Sequence, residues 1–354
     1  MLTDDRPPSQ RHAGLGVLAL LAVFGAGTVV GTSALSNARD HVADSIEPEL
    51  DEALAVTESY VSAVHSDDLV VVGHPHLPAR LTGIEDELLA SRMLFHPDVV
   101  AEVERWTGYW SSNLAPYVPL YLSRMTAFES VVDSTLSSRD LPWSLRFLPV
   151  IESGYNPTAV SSASAVGLWQ FMEPTARDFD IEVDGYVDGR RDPFLATDAA
   201  VRYLEQLHAD FDSWFLALAA YNAGPERIRG LMERYLPDEE PSDAVYWALR
   251  PVLPKETAEF VPNLLGAIIV GSAPTEYGYD APAPTSFAYD SVPVVGSIGF
   301  RTIAEASGST IEDIAWLNPQ LVREATPSDR EILLRLPTGT ATAFREYFAS
   351  RADR

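Results

Sequence analysis

One stretch of the 354-residue chain concentrates groups able to do chemistry, Leu148 to Ala176, LPVIESGYNPTAVSSASAVGLWQFMEPTA. Glu152 follows an apolar run and precedes a turn rich in small residues. A carboxyl held against Ile151, Trp169 and Phe171 has its charged form disfavoured by desolvation. Its pKa rises and it keeps a proton to donate. Ser153 and Ser161 offer hydroxyls to a hydroxylated ligand, and Gln170 offers both a donor and an acceptor. Trp169 and Tyr155 offer flat faces for sugar rings. Together these groups fit an acid that protonates the leaving oxygen of a glycan. They fit equally a helix-end glutamate beside packed aromatics, and residue types alone leave both readings open.

The elements that must hold these groups are helical. Val99, Val103, Trp106 and Trp110 fall at i, i+4, i+7 and i+11, one face of a helix beginning near Pro97. Leu120, Met125, Phe128, Val131 and Val132 continue the apolar pattern in a second helix. Leu141-Pro142 starts a third, with proline suited to a first helical position. It carries Leu145, Leu148 and Ile151 on one face and ends near Ser153-Gly154. Thr197 is placed to cap a helix that buries Val201, Leu204 and Leu207. Ser213 to Asn222 reads as an Ala-rich buried helix, stopped by Gly224-Pro225. Strand alternation is nearly absent from residues 98–272. After Ala281-Pro282-Ala283-Pro284 the pattern changes to strand, helix, helix, strand within about 50 residues, a small α+β module.

Four ordered blocks carry a resemblance. They are Glu152-Ser153 with Asn156-Pro157; Ser161 and Gly167-Leu168-Trp169-Gln170-Phe171-Met172 with Thr175-Ala176; Ala219-Ala220-Tyr221-Asn222-Ala223-Gly224; and Leu253-Pro254-Lys255-Glu256-Thr257 with Val261-Pro262. In this order residues 141–272 resemble the catalytic domain of soluble-type lytic murein transglycosylases, and within them the membrane-bound transglycosylase D branch. The resemblance implies a mainly α, goose-type lysozyme-like fold. It implies that Glu152 is the catalytic acid/base, that Ser161 contacts the reacting sugar, and that Gln170, Met172, Tyr221, Asn222 and Glu256 bind substrate, beside Trp169, the substrate-binding candidate by its flat ring. It implies no metal and no organic cofactor.

Two positions depart from the branch. Gly189 in Asp188-Gly189-Arg190-Arg191-Asp192-Pro193 stands where a glutamate is usual, and Ser164 stands where glycine is common. The C-terminal module resembles a divergent LysM-like carbohydrate-binding unit. The resemblance rests on Thr302-Ile303-Ala304, Ile311-Glu312-Asp313-Ile314, Leu317-Asn318-Pro319 and Leu334-Arg335-Leu336-Pro337. Deleting residues 285–354 is therefore expected to weaken binding to insoluble peptidoglycan and to spare turnover of short soluble glycans.

Composition sets the surroundings. Lys and Arg total 25 against 51 Asp and Glu, a net charge of −26 that repels phosphate backbones and excludes nucleic acid as a partner. The absence of cysteine removes disulfides, thiol catalysis and thiolate metal sites. Ala13 to Leu35 holds no charged residue and is long enough to cross a bilayer core of about 30 Å at about 1.5 Å per helical residue. It reads as an uncleaved inner-membrane anchor that leaves the rest of the chain in the periplasm, or as a signal peptide, in which case the protein is secreted.

The expected organisation is a cytoplasmic tail over 1–12, the anchor over 13–35, a stalk over 36–84 and a helical extension over 85–140. The catalytic domain follows over 141–273, a linker over 274–284, the LysM-like module over 285–340 and a tail over 341–354. His65, His74 and His76 read as surface-loop residues rather than metal ligands. The expected activity is non-hydrolytic cleavage of peptidoglycan between N-acetylmuramic acid and N-acetylglucosamine, leaving a 1,6-anhydro end. The alternatives are a lysozyme-like muramidase, with Asp178, Asp180, Glu182 or Asp184 as base, and an inactive peptidoglycan-binding protein.

Overall fold

The computed structural model describes residues 86–282 and 287–352. The expected anchor, the stalk and the three histidines lie outside the described residues. Among the described residues no helix is long and apolar enough to cross a membrane.

Helix α1 (Pro97–Ser112) buries Val99, Val103, Trp106 and Trp110, the face that its spacing predicts. It lies against the long helix α9 (Lys255–Ser272), where the Trp110 indole N–H donates to Asn263 Oδ1 at 2.8 Å and that of Trp106 donates to Glu259 at 2.6 Å. Helix α2 (Val118–Ser137) buries Met125, Phe128 and Val132, whereas Leu120 is 47% exposed. Leu120 sits in the first turn, beside the expected stripe and off the face that meets the core.

The expected third helix begins as a 3-10 turn (Trp143–Phe147), and its α-helical part, α3, spans only Leu148–Ser153. Gly154, at φ 58°, closes it in the left-handed conformation. A second short helix, α4 (Glu173–Asp178), follows the Gly-Leu-Trp turn.

Helix α5 (Pro193–Phe211) starts earlier than Thr197 suggests. Asp192 is its cap, accepting from the amides of Phe194 and Leu195, with Pro193 at the first position. Thr197 is fully buried inside the helix. Helix α6 (Trp214–Ala223) is capped by Ser213 and apolar on every side, from Trp214 through Ala220. Such a helix is stable only in the centre of a bundle, and α5, α7 (Pro225–Tyr235), α8 (Asp243–Leu249) and α9 surround it. One continuous core runs from Leu88 to Val270, so the helices before residue 141 and those after it share their packing.

The C-terminal module pairs β1 (Tyr289–Val295) antiparallel with β2 (Glu331–Pro337), Val292 facing Leu334. Helices α10 (Phe300–Ser307) and α11 (Ile311–Leu317) cover one face. The expected tail is largely a third helix, α12 (Ala341–Ala352), whose Phe344 is buried in the module's own core with Ile303, Ile314, Leu334 and Leu336.

Candidate active site

The site is built where three chain segments meet around the C-terminus of α3. Glu152 is half-buried in the last turn of that helix. Its neighbour Ser153 turns inward and donates to the Leu168 carbonyl at 2.8 Å, which ties α3 to the Gly-Leu-Trp turn. From α6, Tyr221 donates its hydroxyl proton to the Trp169 carbonyl at 2.7 Å, tying the same turn from the other side. The N-terminus of α9 completes the site. Thr257 donates to Asn222 Oδ1 at 2.8 Å, and Asn222 Nδ2 reaches Glu256 Oε1 at 3.3 Å.

The electrostatics follow from this placement. Burial raises the Glu152 carboxyl from the ordinary range to about 8, and the nearby Glu256 carboxylate adds to the effect. No hydrogen-bond donor holds the charged form of Glu152 among the described residues. It therefore carries its proton through neutral pH. Tyr221 is pushed well above its usual range by burial first and by Glu152 second, so its hydroxyl remains a donor. The arrangement is a carboxylic acid that keeps its proton, with the Glu256 side chain near enough to act on it and amide and hydroxyl groups held by hydrogen bonds beside them.

Not every expected contact is available to a ligand. Trp169 and Tyr155 are both 0% exposed. The Trp169 indole N–H donates to Thr197 Oγ1 at 3.0 Å and the Tyr155 hydroxyl donates to the Arg146 carbonyl at 2.7 Å. Neither ring has a face for a sugar, and Trp169 serves as the anchored floor of the turn. Ser153 is likewise spent on backbone partners, accepting from the Asn156 amide as it donates to Leu168.

Ser161 holds the turn from within, its hydroxyl accepting from the Ala165 amide at 3.0 Å. Gln170 sits at φ 51° with its amide donating to the Gly167 carbonyl, while Met172 is 43% exposed on the turn's outer side. Glu152, Tyr221, Asn222 and Glu256 are thus brought together directly, and Ser161, Gln170 and Met172 belong to the turn that Ser153 and Tyr221 fasten to them.

The two departures have local consequences. Ser164 adopts φ 67°, the left-handed region where a serine costs about 1 kcal/mol relative to glycine. Gly189 is buried, and a Cβ there would lie 2.8 Å from Ile181 Cγ2 and 3.0 Å from the Glu182 carbonyl oxygen. The backbone of this chain leaves no room for the glutamate that is usual there.

Residue-type reasoning missed three positioning groups: Thr197, Thr257 and Arg190. Arg190 donates to the carbonyls of Ser164 and Phe171 at 3.2 and 3.3 Å. Both Arg190 and Thr257 stand inside blocks quoted above, so their place in a motif was the available signal.

Glu256→Gln removes the like charge that helps raise Glu152. Activity that needs protonated Glu152 should therefore lose its alkaline limb at a lower pH than in the wild type, as a pH profile of kcat/KM reads directly. An unmoved limb would mean that Glu256 does not act on the acid.

Comparison with known proteins shows what the chain is similar to. Residues 134–235 match the family described as Transglycosylase SLT domain, and residues 288–351 match Lytic transglycosylase MltD, LysM-like domain. Both likenesses read from the sequence are thus found as family matches, in the expected order. The chain is 28% identical over 217 residues to membrane-bound lytic murein transglycosylase D of Escherichia coli strain K12, covering 61% of this chain and 47% of that protein. It is 38% identical over 103 residues to peptidoglycan transglycosylase gp16 of Escherichia phage T7, covering 28% of this chain and 8% of that one. The chain therefore spans about half the length of the first relative and far less of the second. Among solved structures, the 70 kDa soluble lytic transglycosylase of Escherichia coli matches at 26% identity and a TM-score of 0.35, over 42% of this chain and 24% of that one.

Proposed function

We propose that the chain is a peptidoglycan lytic transglycosylase that breaks the β-1,4 bond between N-acetylmuramic acid and N-acetylglucosamine. The observation that carries this reading is Glu152, a carboxyl raised to about 8 by burial first and by Glu256 second, and close enough to Tyr221 to raise that hydroxyl in turn. Protonated, it delivers its proton to the leaving oxygen. The carboxylate that results then takes the proton of the C6 hydroxyl of the same muramoyl residue, and that oxygen closes on C1. One carboxyl serves both steps because the nucleophile is part of the substrate. Ordinary glycosidases use two.

The acids first considered as a hydrolytic base are engaged elsewhere or face solvent. Asp184 accepts from the amides of Tyr186 and Val187 and from Arg330, and is held near 2 by those bonds. Glu182 also pairs with Arg330, and Asp178 and Asp180 are exposed. None of the four is among the groups whose charge acts on Glu152, whereas Glu256 is.

The name of the Escherichia coli relative, membrane-bound lytic murein transglycosylase D, supports reading the chain as a membrane-associated enzyme of the cell envelope. Residues 13–35 are read as the inner-membrane anchor, peptidoglycan strands as the substrate, and the C-terminal module as an additional glycan-binding surface.

Mass spectrometry of a complete digest of purified sacculi tests the reaction. The expected reducing-end product is anhydromuramoyl, one water lighter than a lysozyme product and resistant to borohydride. Effective molarities of well-placed internal groups reach about 10⁵ M or more, so the C6 hydroxyl should win over bulk water. A digest dominated by reducible, hydrated ends would overturn the reading and make Glu256 the base to test.

A further inference from the structure

The C-terminal module does not hang from its linker. Its backbone joins the loop that follows α4: the Asp188 amide donates to the Gln320 carbonyl at 2.9 Å, the Val322 amide to the Tyr186 carbonyl at 3.0 Å, and Val187 pairs with Leu321 as an antiparallel bridge. Side chains reinforce the seam. Arg335 of β2 pairs with Asp192, their side chains only 12% and 4% exposed, while its guanidinium lies over the Phe194 and Tyr289 rings. Arg330 pairs with Asp184 at 2.6 Å, and Arg323 donates to the Gly185 carbonyl.

The same loop grips the active-site turn on its other side. Asp188 holds Arg190 in an ion pair in which both side chains are 8% exposed. Arg190 donates to the carbonyls of Ser164 and Phe171, the two ends of the segment that carries Gln170. An unbroken path of buried polar contacts thus runs from Gln320 through Asp188 and Arg190 to the turn, with Arg335 and Asp192 fixing the loop's exit into α5.

We infer that the C-terminal module is a positioning element of the active site, holding the 161–172 turn through the Arg335–Asp192 and Gln320–Asp188 contacts as well as meeting the wall. The inference rests on the proposed function for its kinetic readout only. It replaces the expectation that turnover of short soluble glycans is indifferent to the module. Arg335 and Asp192 touch no reacting atom; they act through Asp188 and Arg190 on the turn.

The test uses the full chain carrying Arg335→Met, which removes the ion pair and keeps apolar bulk against Phe194 and Tyr289. Two quantities are measured: turnover of a short soluble glycan strand, and amide exchange at Val166 and Phe171, whose N–H groups donate to each other's carbonyls across the turn. Misplacement of about 1 Å in a positioning group costs up to about a hundredfold in rate, so a partial loosening should lower kcat about tenfold. Exchange at both amides should accelerate at least about tenfold, with pelleting on sacculi unchanged. Leu333→Ser, at an exposed position of the same strand, should alter none of these.

Should Arg335→Met fail to fold, Asp192→Asn keeps an oxygen to cap α5 and gives the same readouts. A kcat within twofold of wild type, or unchanged exchange at the turn, overturns the inference. A wild-type chain inactive on the strand sinks the proposed function, and the exchange measurement, which needs no substrate, still decides this one.

Discussion

Glu152→Gln should abolish cleavage while leaving a folded and, above neutral pH, more stable protein. The amide has the shape of the acid but no proton to give at the leaving oxygen. Loss of general acid catalysis alone costs about 10²–10⁴-fold. The proposed mechanism asks the same side chain to act again as base on the C6 hydroxyl, so the loss should exceed that range. A variant retaining more than about a tenth of wild-type turnover would show that the proton comes from elsewhere.

The stability half of this prediction follows from the raised pKa. Between the ordinary carboxyl range and about 8, the unfolded chain has released the Glu152 proton while the folded chain keeps it. The native state then binds more protons than the unfolded one, so stability falls as pH rises through this window. Above about 8 the cost is fully present. One pKa unit is about 1.4 kcal/mol, and solvent reaching the half-buried side chain reduces the total, which leaves a penalty of about 2–4 kcal/mol. Glutamine carries no such penalty. Denaturant midpoints should therefore coincide near pH 4 and separate in favour of the variant by pH 9. Midpoints that stay together across this range would mean that the carboxyl is not desolvated.

Local order was legible where one face of one element decides the outcome. The α1 face of Val99, Val103, Trp106 and Trp110 is buried as its spacing requires, and Ser213 and Gly224 bound α6 as read. The start of α5 was legible in principle. Asp192-Pro193 is a stronger cap-and-first-turn signal than Thr197, because proline at the first helical position wastes no amide.

What spacing could not show is which aromatic side chains tertiary structure takes out of reach. Trp169 reads as a sugar platform beside Gln170, yet a threonine 28 residues later in the sequence holds its N–H and seals the ring in the core. The seam between the modules was equally hidden. Asp192 and Arg335 are 143 residues apart, and neither lies in a pattern that announces the other. The raised pKa of Glu152 was legible, because burial beside an apolar run desolvates a carboxyl. Its elevation also depends on Glu256, which only the fold of α9 brings close.

Gly167→Ala should be strongly destabilising although it adds a single methyl group. Gly167 has φ 89°, and a Cβ there would lie 1.9 Å from the Arg190 carbonyl oxygen, against the 3.0 Å below which real Cβ contacts essentially do not occur. At least about 1 Å must therefore open between two backbones. The loop cannot retreat freely, because Asp188 and Asp192 tie it to the module and the Arg190–Asp188 pair is buried. The conformational cost of an L residue at this φ is about 1–3 kcal/mol, and forced overpacking adds about as much again, for about 4 kcal/mol in all. Gly224 supplies the control. It also sits at φ 89°, but a Cβ there meets nothing within 4 Å. Gly224→Ala should therefore show the conformational cost alone, and the difference between the two denaturant midpoints measures the clash. Equal losses would mean that the turn and the Arg190 loop separate easily, and that Arg190 does not hold the turn where the structure places it.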